Sequence, residues 1–136
     1  MKTRDVRDLV HFDEVGAHEQ TLYETDQLFS RVICLQAAQD VGPMGDPRAD
    51  AVCLVLAGEV SAQVGRGRSR MRQWETALVP AGSELTLRNA SEDPAVVLLV
   101  TAPPPGIGVV SLVAEAAGSA KAPAAGSDQA SDPDEG

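Results

Sequence analysis

The sequence predicts an all-β domain built as a small antiparallel barrel, and three observations predict it. Hydrophobic residues make up 43% of the chain but aromatic ones only 3%. The core must therefore be built from Val, Leu, Ile and Ala, and β-branched residues in short runs favour strands over helices. Apolar and alternating runs recur at a spacing of roughly ten residues with Gly- or Pro-containing turns between them, the pattern of a sandwich or barrel. No helical period competes within the body of the chain.

The elements follow in order. At 136 residues the chain has the length of one domain. Residues 1–26 read as an N-terminal arm, in which Val6, Leu9, Val10 and Phe12 supply one short strand. His11 and His18 lie there among carboxylates, but their spacing matches no short metal-ligand motif, which leaves a solvated arm as the expectation. The barrel is expected over 27–106. Its first strand lies in 27–38, nearly continuous in apolar residues, so both faces are expected to be covered. Arg31 and Gln36 interrupt this run, and each either reaches into a pocket or sits at the rim. Residues 39–50 contain two Pro, two Gly and three Asp, and read as a loop.

Residues 51–57 form an apolar strand ended by Gly58. In 59–64, Val60, Ala62 and Val64 share one face while Ser61 and Gln63 share the other. Gly65-Arg66-Gly67 signals a hairpin. After it, Arg68, Arg70 and Arg72 point to one side of the next strand. With Arg66 they form a basic stripe, which either docks an acidic partner or protects a strand edge. Leu85 and Leu87 alternate with polar residues after the turn Pro80-Ala81-Gly82. Residues 95–102 form a last buried strand, stopped by Pro103-Pro104-Pro105. A docked segment is expected over 107–118. Residues 119–136 have no large apolar side chain and are expected to form a disordered acidic tail.

The totals exclude several functions. The formal net charge is -9, and an acidic body argues against nucleic acid as a partner. No apolar run approaches the ~18 residues of a membrane-spanning helix. The N-terminus MKTRDVRDLV is charged and lacks the apolar stretch of a signal peptide, so a cytoplasmic location is expected. Cys34 and Cys53 sit in apolar runs, as reduced core thiols do. No nucleophile elbow, phosphate-binding loop or dinucleotide fingerprint occurs.

Two stretches carry a resemblance. Cys53 to Gly58 fits the end of a motif G-x5-H-x-H-x(3,4)-E-x6-G. Residues 74–89 fit a second motif, G-x5-P-x-G-x2-H-x3-N, with Pro80, Gly82 and Asn89 in place and Trp74 where the first Gly belongs. On these residues the middle of the chain resembles the cupins, which are double-stranded β-helix (jelly-roll) barrels. In that family the two His, the Glu and the second-motif His hold a divalent metal. Here the Glu position falls on Ala51, the first two His on Met44 and Asp46 (or Gly45 and Pro47), and the last on Leu85. Ala, Leu and Pro offer no ligand atom. The resemblance therefore implies a cupin barrel without its metal set, and no metal or other cofactor is expected.

The leading expectation is a non-catalytic, metal-free cupin-type domain that binds a small molecule or a protein partner, as a homodimer. Its pocket residues would be Arg31, Gln36, Cys53, Gln63, Trp74 and Leu85; the docking stripe would be Arg66, Arg68, Arg70 and Arg72. An alternative is a metal-independent isomerase- or epimerase-like enzyme, with Tyr23, Glu59, Glu75 or Glu84 as general acid or base. A third reading is an assembly component that uses the stripe and the tail.

Overall fold

A computed structural model describes residues 1–104, and these form nine strands in two antiparallel sheets. The strands are β1 (His18–Glu24), β2 (Phe29–Leu35), β3 (Asp40–Met44), β4 (Asp50–Ala57) and β5 (Glu59–Val64). They continue as β6 (Gly67–Arg72), β7 (Thr76–Val79), β8 (Leu85–Arg88) and β9 (Ala95–Ala102). One sheet has the order β1-β2-β9-β4-β7 and the other β3-β8-β5-β6. The sequence expectations over 107–118 and 119–136 lie outside the described residues.

Alternation decides which side chains face inward. In β9, Ala95, Val97 and Leu99 join the core between the sheets, whereas Val96 faces out. In β2 the inward residues are Ile33 and Leu35; in β4 they are Cys53 and Val55. The second sheet contributes Val60, Ala62, Met71, Leu85 and Leu87 to the same core. Both faces of β2 are covered, as its nearly continuous apolar run predicts. Its outer residues Val32 and Cys34 pack with Leu9 and Val96, and Val6, Val10 and Phe12 lie against them.

That covering segment differs from expectation. Val6–Leu9 is a 3-10 helix, not a strand. Val6 and Leu9 stand three apart, which puts them on one side of a helix with three residues per turn. Leu9 is thereby buried, and the Asp5 side chain caps the helix by accepting from the Arg7 N–H. The sheet also begins earlier than residue 27, because β1 pairs with β2 from His18↔Cys34 to Glu24↔Phe29. β1 escapes detection in the sequence because it is an edge strand whose residues are mostly exposed.

The expected loop over 39–50 contains a further strand, β3, paired with β8 through Asp40↔Arg88, Val41↔Leu87 and Met44↔Leu85. Its register shifts between Val41 and Met44. Gly42 sits in the shift at φ +110, and a Cβ there would lie 2.5 Å from the Leu85 carbonyl oxygen. Only glycine fits such a position. Pro43 is tolerated because β3 is an edge.

Asn89 fixes the turn that feeds β9. It is fully buried, and its Nδ2 donates to the carbonyls of Leu35 at 3.0 Å and Asp93 at 2.7 Å. Its Oδ1 accepts from the Ser91 N–H at 3.0 Å and the Ser91 hydroxyl at 2.9 Å. One side chain thus ties the end of β2 to the turn before β9. Asn89→Ala is expected to lower the free energy of unfolding by about 2 to 4 kcal/mol, because it strands buried carbonyls without a donor. Urea denaturation checks this. Asn89→Asp should fail similarly, since a carboxylate cannot donate to either carbonyl.

Candidate functional site

At one end of the barrel the sheets enclose a cavity of about 50 Å³. A row across three neighbouring strands, Val79–Ala51–Thr101, forms one side. The cross-strand pair Met44–Leu85 lines the cavity from the second sheet. Gly45, Asp46 and Ala49 from the β3–β4 loop, with Arg31 and Leu99, complete the lining. Such a volume holds a few water-sized groups and falls well short of the ~300 Å³ at which typical ligand pockets begin.

Arg31 and Asp46 supply the charged groups of this lining. Arg31 Nη1 donates to Glu19 Oε1 at 2.7 Å, and Nη2 meets the Met44 sulfur at 3.3 Å. Nε–H is buried and has no hydrogen-bond partner. The guanidinium also lies 5.7 Å from the centre of the Phe29 ring. Asp46 Oδ1 accepts from the Arg48 N–H at 2.7 Å, and its backbone oxygen accepts from the Gly82 N–H at 3.0 Å. Asp46 therefore holds together the loop that forms the cavity wall.

Of the six residues expected in the pocket, the structure brings Arg31 and Leu85 to the cavity. Gln36 lies beyond the end of β2, where its backbone N–H donates to Gln39 Oε1. Gln63 lines a separate, open surface groove with Glu84 and Thr86. Its side chain bonds to Gly65 O and Arg68 Nη2. Cys53 faces inward as expected but is sealed in the core. Trp74 lies in the β6–β7 turn, 68% exposed, at φ +76. This is the left-handed region that favours the glycine of the motif, so the indole stays outside the barrel at some cost in backbone strain. Sequence reasoning missed Thr101 and Leu99 as pocket residues. Their positions follow only from register across the sheets.

The basic stripe lies on β6, an edge strand. Arg70 and Arg72 both reach Glu59, at 3.0 and 3.8 Å, and Arg68 bonds to Gln63 at 3.0 Å. Arg66 stands exposed in the hairpin turn. Much of the stripe is thus engaged by its own neighbour strand, an arrangement suited to guarding an edge.

The two cysteines are free and lie on opposite faces of the first sheet, Cys34 outside and Cys53 inside. They also sit on strands separated by β9, which rules out a bridge between them. His11 and His18 do meet, with ring centroids 4.7 Å apart, while most residues of 1–16 are exposed.

The arrangement of strands now permits comparison with known proteins. The TT1209 protein of Thermus thermophilus superposes with a TM-score of 0.74 at 27% identity, over 77% of this chain and all of that one. A Klebsiella pneumoniae protein with a double-stranded β-helix domain gives 0.71 at 18% identity, over 76% of this chain and 90% of that one. An RmlC-like cupin from Desulfovibrio desulfuricans gives 0.69 at 19% identity, over 76% and 98%. This chain has the cupin fold. No protein-family model matches its sequence, and no curated protein does.

In this cupin-fold chain, the positions that the two motifs reserve for ligands converge as the fold requires. Met44, Gly45, Asp46, Ala51 and Leu85 all line the one cavity. Their chemistry does not fit a first-row divalent ion: one carboxylate stands among a thioether, a glycine and two hydrocarbon side chains. Among the described residues, no group of three or more His, Cys, Asp and Glu is placed to hold a metal. No helix among them is long and apolar enough to cross a membrane.

Burial pushes the Cys53 thiol from its ordinary 9.0 up to about 12. It is a poor nucleophile at neutral pH, because the thiolate is the reactive form. The unfolded thiol ionises near 9.0 and the folded one only near 12, so the unfolded state loses its proton first. This contribution to stability is intact below the unfolded value and is lost as pH rises toward the folded one. Urea midpoints are expected to fall between about pH 8 and pH 11, and Cys53→Ala should flatten that slope whatever its constant offset.

Proposed function

We propose that this cupin-fold chain is a metal-independent binding domain, not an enzyme, and that it takes a small molecule in the barrel cavity. One observation carries the reading. The fold delivers every motif ligand position except Pro47 to the cavity, yet the residues delivered are Met44, Gly45, Asp46, Ala51 and Leu85. Tyr23, Glu59, Glu75 and Glu84 do not line the cavity, which speaks against the isomerase-like alternative. Two free, buried thiols suit a reducing compartment and support a cytoplasmic location.

Metal content tests the central claim. Purified protein is expected to carry no stoichiometric Fe, Mn, Zn or Ni by elemental analysis, and its melting temperature should not move with EDTA. A retained equivalent of any of these ions would overturn the reading, since a metal bound only by the folded state raises the melting point.

We propose further that the chain acts as a homodimer through the outer face of the first sheet. Val52 and Leu78 are cross-strand partners there, 45% and 62% exposed, beside the edge strand β7. Val100 continues the row on β9, and Trp74 begins the same edge. Adjacent exposed apolar groups on an edge strand favour a self-complementary two-fold contact. Sedimentation velocity should show a dimer that Leu78→Glu converts to monomer with an unchanged circular dichroism spectrum. A monomeric wild type would sink the proposal.

A further inference from the structure

We infer that the barrel cavity binds the short alkyl chain of an uncharged compound, such as a small aliphatic alcohol. This rests on the cavity being the ligand site, and it names the chemistry which that site selects. Met44, Ala49, Ala51, Val79, Leu85 and Leu99 line the cavity with hydrocarbon and one thioether. Ala51 comes from the first sheet and Leu85 from the second, so the apolar surface surrounds a guest from both sides. The charged side chains of the lining are already engaged. Arg31 Nη1 donates to Glu19 Oε1, Nη2 meets the Met44 sulfur, and Nε is buried. The Asp46 carboxylate accepts from the Arg48 N–H within its own loop.

Hydration decides which guest fits such a wall. A charged or many-hydroxyl compound sheds its water on entry and finds these partners taken, so its desolvation goes uncompensated. Water fits the wall poorly too, because a well-held buried water makes about 3 hydrogen bonds. The uncharged polar side chain of the lining is Thr101, with one hydroxyl. A methylene chain gives up no hydrogen bond on entry, displaces loosely held water, and gains from each CH₂ buried. The volume of about 50 Å³ restricts the chain to a few carbon atoms.

The test titrates the full chain with 1-propanol, glycerol and propionate, which share a carbon chain length and differ in hydroxyls and charge. Methyl correlation spectra follow Val79, Leu85 and Leu99. 1-Propanol is expected to shift these methyl signals and to bind at least about tenfold more tightly than glycerol or propionate. Ala51→Leu fills the cavity and should weaken 1-propanol by about tenfold or more. Ala51→Val adds less bulk and should weaken it in the same direction even where the Leu variant folds poorly. Glycerol or propionate binding as tightly as 1-propanol would refute the alkyl class and leave the cavity reading standing. Exclusion of all three probes would remove both, as would 1-propanol affinity unchanged in both Ala51 variants.

Discussion

Two sheets can share one core only while every strand keeps its alternation in step, and β9 holds that step. It bonds to β2 on one side and β4 on the other along nearly its whole length. Its inward residues Val97 and Leu99 meet Ile33, Val55 and Cys53 across a common interior. A slip of one residue would exchange these with Val96 and Leu98 and turn both neighbours' pairings inside out. The buried Asn89 just upstream fixes where β9 begins, and Gly58 makes the matching turn after β4. Gly58 has φ +76, and a Cβ there would collide with the Pro94 carbonyl beside the start of β9. The retained motif positions serve this register.

The same register explains why a site persists without its chemistry. The positions of Ala51 and Leu85 are brought to the cavity by backbone pairing, whatever side chains they carry. When ligand residues are absent, the fold need not change, and the space they framed is left as a small, mainly apolar chamber. What remains polar in it is Asp46 at a motif position, with Arg31 from β2 and Thr101 from β9.

The sequence was most legible where burial was deepest. The run over 95–102 and the alternation of Val60 and Ala62, or Leu85 and Leu87, reappear as strands with the same faces inward. It was least legible at the edges. β1 and β3 each have a single partner strand and expose most of their residues, so neither needs a strong apolar period, and β3 also contains Gly42 and Pro43. The 3-10 helix over Val6–Leu9 was read as a strand because four clustered apolar residues carry no clear period at that length. The pocket was half legible. The motif spacing found Ala51, Met44 and Leu85, whereas Trp74, expected in the pocket, stands exposed in a surface turn at φ +76.

That placement has an optical corollary. The chain has one tryptophan, and its indole stands in solvent at the rim of the first sheet, away from the interior. Intrinsic fluorescence of this protein is therefore nearly blind to the barrel's contents. It instead responds to anything that comes to rest on that rim, moving toward shorter wavelengths as water is shed from the ring.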